Sequence, residues 1–154
     1  MKIVSSSRTE WTAAACAVVS ALLLVAAFPP LEWTGALWVA LAPLLAMARF
    51  APPRMALKMG FVAGLLFWLL SIRWLTHVTV AGWLSLSAYC AMYFLPAVWA
   101  ANRWRGGAAG FAATTAVVWC GAEFLRGWIG GGFPWNPLGA GLAPWVPGIQ
   151  LAEF

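Results

Sequence analysis

Apolar runs long enough to cross a bilayer, separated only by short clusters of Arg, Lys, Gly and Pro, occupy nearly all of this sequence. Five can be read, at residues 12–28, 35–50, 59–75, 80–101 and 107–125. A crossing helix needs roughly 20 predominantly apolar residues. The second run is the shortest and contains Pro43. A sixth apolar stretch starts near Val146, so the chain reads as the beginning of something longer. Charged residues make up only 8% of the chain, against about 25% in a soluble domain. Too little charge is present to cover a water-facing surface. The expected fold is therefore an all-α polytopic transmembrane bundle of about five spans plus the start of a sixth. No separate soluble domain is expected within it.

Orientation follows from Lys and Arg. With the N-terminus in the cytoplasm, Lys2, Arg8, Arg49, Arg54, Lys58, Arg103 and Arg105 lie on the inner side, seven of the nine basic residues. Arg73 and Arg126 lie outside. Basic residues concentrate in short cytoplasmic loops, so this division sets the topology. It also accounts for the net charge of +5 through inner loops and anionic headgroups, and no nucleic-acid partner is inferred. Trp11, Trp33, Trp74, Trp83, Trp104 and Trp128 fall near span ends, as in interfacial aromatic belts. The first run also has the basic start and the Val25-Ala26-Ala27 end of a signal peptide, but it is long enough to span and further spans follow.

Cys16, Cys90 and Cys120 lie inside spans one, four and five, where thiols behave as small apolar groups. Their odd number argues against a disulfide framework. His77 is the only histidine, and no Cys/His spacing suggests a metal; no cofactor is expected. Gly60-Phe-Val-Ala-Gly64 and Gly106-Gly-Ala-Ala-Gly110 are small-xxx-small patterns that allow close helix approach. Arg73, beside Trp74, fits either an interfacial anchor or a contact to a lipid phosphate, which a guanidinium binds bidentately.

The sharpest feature is the stretch from Glu123 to Gly139. Glu123 and Arg126 are spaced i, i+3, on one helix face, at the end of the fifth span. A lone charge in a span costs about 2.5–3.5 kcal/mol at mid-bilayer, and a neighbouring opposite charge reduces that. The pair is either a structural tie or a contact to lipid substrate. Gly130 to Gly132 and Phe133-Pro134-Trp135-Asn136-Pro137 follow. Irregular backbone is not tolerated against lipid, so this segment belongs at the outer interface or in a bundle cavity. Trp135 is either an aromatic anchor or a wall for an acyl chain or headgroup.

These residues resemble the apolipoprotein N-acyltransferases of bacterial inner membranes. The resemblance rests on Trp119-Cys-Gly-Ala-Glu123-Phe-Leu-Arg126-Gly-Trp128, on Gly132-Phe-Pro-Trp135-Asn-Pro-Leu-Gly139, and on Gln150-Leu-Ala-Glu153. Phe28-Pro-Pro-Leu and Gly64-Leu-Leu-Phe-Trp-Leu-Leu-Ser-Ile-Arg-Trp74 are similar too. It implies an eight-helix membrane domain followed by a periplasmic nitrilase-like domain. It implies transfer of an acyl chain from a phospholipid donor, through a catalytic cysteine, to the N-terminal amine of a diacylglyceryl-cysteine lipoprotein. A Glu-Lys-Cys triad in the nitrilase-like domain performs that chemistry. No triad position falls on this chain, so residues 1–154 are expected to be the truncated N-terminal transmembrane domain, with no catalytic residue and no activity alone. The expected carry-over is a lipid-positioning role for Glu123, Arg126, Pro134, Trp135 and Arg73. A second function class stays open: a small non-catalytic multi-pass protein, such as a transporter subunit or assembly partner. A transporter would place polar groups near the midplane, and spans one to four carry no such set.

The charge distribution makes a topological prediction. A periplasm-active reporter fused at Gly131 should be active, and the same reporter at Arg54 silent. The reverse pattern would refute the assigned orientation.

Overall fold

The computed structural model describes residues 3–150; Lys2 and, of the Gln150-to-Glu153 motif, all but Gln150 lie outside them. The chain forms α1 (Ile3–Ala26), α2 (Ala42–Phe50), α3 (Pro53–Ser71), α4 (Val80–Ala91), α5 (Leu95–Arg103), α6 (Ala108–Arg126) and a last short α7 (Val146–Ile149). Four helical stretches are long and apolar enough to cross a membrane: Arg8–Ala26, Pro53–Ser71, Val80–Arg103 and Ala108–Arg126. The third of these runs α4 and α5 together through a 3₁₀ turn at Met92–Phe94, just before Pro96, whose missing N–H breaks the regular ladder. Of the sixth expected stretch, only α7 is described.

The short second run, Thr34–Phe50, divides into a 3₁₀ turn at Thr34–Trp38 and the nine-residue α2. Pro43 sits in the first turn of α2, where a proline costs no hydrogen bond. At 1.5 Å per residue, α2 is roughly 14 Å long, about half of the hydrocarbon core. So short a helix cannot reach both interfaces, and backbone groups at both of its ends lack helical partners. Neighbouring side chains satisfy them. The Leu44 N–H, an orphan donor in the first turn, donates to Ser20 Oγ of α1 at 3.0 Å. At the other end Ala48 has no helical partner for its carbonyl, because position 52 is a proline and has no N–H. Asn102 of α5, buried, donates from Nδ2 to Ala48 O at 2.6 Å and to Ala51 O at 2.9 Å.

Small residues set the packing. Ala13, Ala17 and Ala21 of α1 and Ala56, Ala63 and Ala97 of the neighbouring helices are all buried. They let α3 run through the centre, in contact with α1, α2, α4 and α5. At Gly64 a Cβ would stand 2.9 Å from the Phe94 ring and 3.0 Å from the Ala91 backbone, and at Gly60 one would stand 2.9 Å from Val98. This first small-xxx-small pattern is therefore a helix–helix contact. The second is not: Gly106 and Gly110 both close on the Trp104 ring of their own turn. Trp11, Phe50, Trp99, Val117 and Phe124 are exposed, and a bilayer would cover them.

If Asn102 closes the end of α2, Asn102→Leu should lower stability by about 1–3 kcal/mol through unsatisfied carbonyls. Thr12→Val, at an exposed hydroxyl that bonds only within its own helix, should change little. Equal unfolding midpoints for the two variants in detergent would rule out the capping role.

Candidate functional site

The helix pair singled out in the sequence does not close on itself. Glu123 Oε1 accepts the Leu138 N–H at 2.8 Å. Arg126 Nη1 donates to the carbonyls of Phe133 and, at 2.8 Å, of Trp135. The Arg126 carbonyl in turn accepts the Phe133 N–H at 2.9 Å. Two opposite charges in one helical turn thus clamp the segment after α6 back over the end of the bundle. Arg126 is only 2% exposed, and its guanidinium lies 4.7 Å from the Trp68 ring centroid. Carbonyl partners, ring contact and a nearby carboxylate together offset the cost of burying it.

The three glycines make that return possible. Gly130, Gly131 and Gly132 have φ of 66°, 91° and 73°, a left-handed run that side-chain-bearing residues resist. Asn136, at φ 43°, occupies the same region, which Asn tolerates better than most residues. The chain then forms a 3₁₀ turn at Leu138–Leu142 that packs on the Thr34–Trp38 turn. Residues 127–145 form a strap across one end of the bundle.

An aromatic ladder runs along the strap. Trp68 meets Phe133 with centroids 5.9 Å apart. Phe133 stacks on Trp135 at 6.2 Å and 19°, and Trp135 leans on Trp74 at 5.7 Å. The inner end of the ladder is buried, whereas Trp74 and Trp135 stay half-exposed. Pro134 and Arg73 are exposed, Arg73 in the 3₁₀ turn Arg73–His77 that also carries Trp74. The structure thus places all five residues of the sequence reading at one end of the bundle. They fall into two groups: Glu123 and Arg126 beneath the strap, and Pro134 and Trp135 on its surface with Arg73 exposed in the turn that carries Trp74.

Behind the strap Phe67, Trp68, Cys90, Tyr93, Glu123 and Arg126 enclose a cavity of about 20 Å³, room for about one water. No acyl chain fits there. Among the described residues no three His, Cys, Asp or Glu side chains gather as metal ligands.

Sequence reasoning missed two residues of this site, Tyr89 and Tyr93. The Tyr89 hydroxyl donates to Ile129 O at 2.8 Å and lies 2.6 Å from the Tyr93 hydroxyl. A phenol has one proton, so Tyr93 is the donor in the second bond. A Cβ at Gly130 would come within 2.8 Å of Tyr89 Oη, so Gly130 is required by the close approach as well as by its φ. The available signal was that the chain's two tyrosines stand one helical turn apart.

Four crossing-length apolar helices, a half-length helix capped from its neighbours and a charge-clamped strap define a polytopic α-helical membrane domain. The family model described as apolipoprotein N-acyltransferase N-terminal domain matches residues 20–154, and the chain belongs to that family. It is 34% identical over 153 residues to the apolipoprotein N-acyltransferase of Geobacter metallireducens, covering 90% of this chain and 29% of that protein. It is 31% identical over 135 residues to the apolipoprotein N-acyltransferase of Pasteurella multocida, covering 80% of this chain and 25% of that protein. The chain thus spans less than a third of the length of these curated relatives.

Replacing Arg126 by Met should destabilise the protein by about 3 kcal/mol, since it frees two carbonyls and leaves Glu123 without a nearby opposite charge. Trp135 fluorescence should shift as the strap loosens. An unfolding midpoint and emission spectrum equal to wild type would show that the clamp does not hold the strap.

Proposed function

We propose that residues 1–154 are the N-terminal membrane domain of an apolipoprotein N-acyltransferase, and that the strap end of the bundle positions the phospholipid acyl donor. The acceptor in this reading is the N-terminal diacylglyceryl-cysteine of a lipoprotein. The domain lies in the bacterial inner membrane with its N-terminus in the cytoplasm, which puts the strap at the periplasmic face. Family membership supports the reaction class, and the distribution of Lys and Arg supports the orientation.

The observation that carries the positioning role is the half-exposed Trp74–Trp135 pair with exposed Arg73 in the same turn. A guanidinium at headgroup depth offers a donor fork to a phosphodiester. A fixed pair of indoles beside it offers an acyl chain a rigid apolar wall at low entropic cost. Arg126 and Glu123 serve indirectly in this scheme. Arg126 is bonded to the Trp135 carbonyl, so it sets where the indole stands. Pro134 restricts the backbone just before it. The nucleophile comes from another part of the enzyme: Cys90 is buried in α4, and Cys16 and Cys120 lie along spans, where a thiolate is disfavoured.

Binding energy that orients a donor appears in the rate of the first acyl transfer. In the intact enzyme, Trp135→Ala and Arg73→Gln should each slow acyl-enzyme formation from phospholipid on the order of tenfold, beyond any loss that reduced stability accounts for. Wild-type rates in both variants, or a loss that only follows reduced stability, would retire the role.

A further inference from the structure

At the opposite end of the bundle two guanidiniums converge on one turn. Arg49, in the last turn of α2, donates from Nη2 to Gly106 O at 3.1 Å and lies 5.0 Å from the Phe111 ring centroid. Arg105 donates from Nη1 to Asn102 O and Trp104 O at 2.7 and 3.0 Å. Among the described residues neither has a carboxylate partner, and Arg49 Nη1 is shielded from water with no hydrogen-bond partner. Two positive charges without a carboxylate partner thus lie at one turn, and exposed Arg105 together with the accessible part of Arg49 offers donors to an anion.

An apolar groove of about 490 Å³ begins at the same place. Because α2 is half-length and α6 is not, the two leave an open channel between them. Trp38, Leu45, Phe111, Thr115, Trp119 and Leu138 are among its walls. The one hydroxyl there, that of Thr115, is bonded to Phe111 O and Ala112 O of its own helix, so the groove offers a ligand no polar side-chain group from Thr115. Phe111 belongs to both features, lying under the Arg49 guanidinium and forming the mouth of the groove. From Phe111 to Cys120 the groove runs roughly 14 Å along α6, the depth of one leaflet of a hydrocarbon core about 30 Å thick.

We infer that the α2–α6 groove is a binding site for one anionic phospholipid, with its phosphate at Arg49 and Arg105 and one acyl chain along α6. The charge favours an anion, the groove suits a hydrocarbon chain, and Phe111 is common to both. The phosphate end of this site stands apart from the strap, the far end of the groove reaches Leu138 of the strap, and the assignment does not depend on the positioning role given to Trp135. In the proposed orientation it draws on the cytoplasmic leaflet, where anionic lipid and juxtamembrane Arg attract one another. Its lipid would fill the space left by the short helix.

The test uses the protein purified in a neutral detergent and native mass spectrometry with dioleoyl-phosphatidylglycerol as the probe. Dioleoyl-phosphatidylcholine and inorganic phosphate are the comparison ligands. Phosphatidylglycerol should be retained on the order of tenfold better than phosphatidylcholine, and Arg49→Gln with Arg105→Gln should remove that preference. Ala116→Trp, which fills the groove from an exposed position on α6, should reduce retention with the melting temperature unchanged. It decides the matter even if the arginine variants fold poorly. Equal retention of the two lipids, full retention by Ala116→Trp, or stabilisation by inorganic phosphate equal to that by phosphatidylglycerol would each overturn the assignment. So would an absence of bound lipid, which would mean that another protein segment or a second copy fills the groove.

Discussion

A backbone amide or carbonyl inside a bilayer has no water to turn to, and each one left bare costs several kcal/mol. The full-length helices meet this demand internally. The half-length helix and the strap cannot, and the side-chain hydrogen bonds that matter most here are the ones that serve them. Ser20 and Asn102 close the two ends of α2. Glu123, Arg126 and Tyr89 close backbone groups of residues 129–138. Among the described residues, three of the five buried polar or charged side chains, Ser20, Asn102 and Arg126, thus serve places where regular helix stops, whereas Thr115 bonds within its own helix.

The choice of Arg at position 126 follows from the same demand. Its planar guanidinium carries five donors in a fixed fork. It reaches two carbonyls of the strap while its face lies over Trp68. A lysine would present a compact, strongly hydrated charge to a site where water is scarce. Glu123, one turn earlier, supplies the balancing charge and an acceptor for Leu138. The buried pair therefore acts as a hinge-pin for the strap, and the aromatic ladder carries its geometry outward from Trp68 to Trp135.

Helix length links the two ends of the molecule. Because α2 is only nine residues long, the Thr34–Trp38 turn before it is available for the Leu138–Leu142 turn of the strap to dock on. The same shortness separates α2 from α6 and opens the groove beside Phe111. A full-length helix there would close the groove and displace the docking surface together. The small residues of α3 have a complementary effect. Gly60 and Gly64 bring α4 and α5 close enough for Trp68 and Phe94 to pack near Trp119 and Arg126.

The sequence by itself determined what a low-resolution physical property can determine. Apolar run lengths and scarcity of charge dictate a helical bundle in a membrane. The spacing of Glu123 and Arg126 places both on one face of α6, and three consecutive glycines announce a turn. Only the tertiary structure decided what those groups touch. Sequence spacing brings Glu123 and Arg126 within reach of each other, yet each bonds instead to backbone several residues further on, because an unpaired carbonyl or amide in the strap has no other partner. The same holds for Asn102, whose role depends on a proline fifty residues earlier in the chain, and for Tyr89, whose acceptor lies forty residues later. Likewise, Gly60–Gly64 and Gly106–Gly110 are alike as patterns, but only the first meets another helix. Periodicity reports which face is apolar; partners distant in sequence are fixed by how the helices pack.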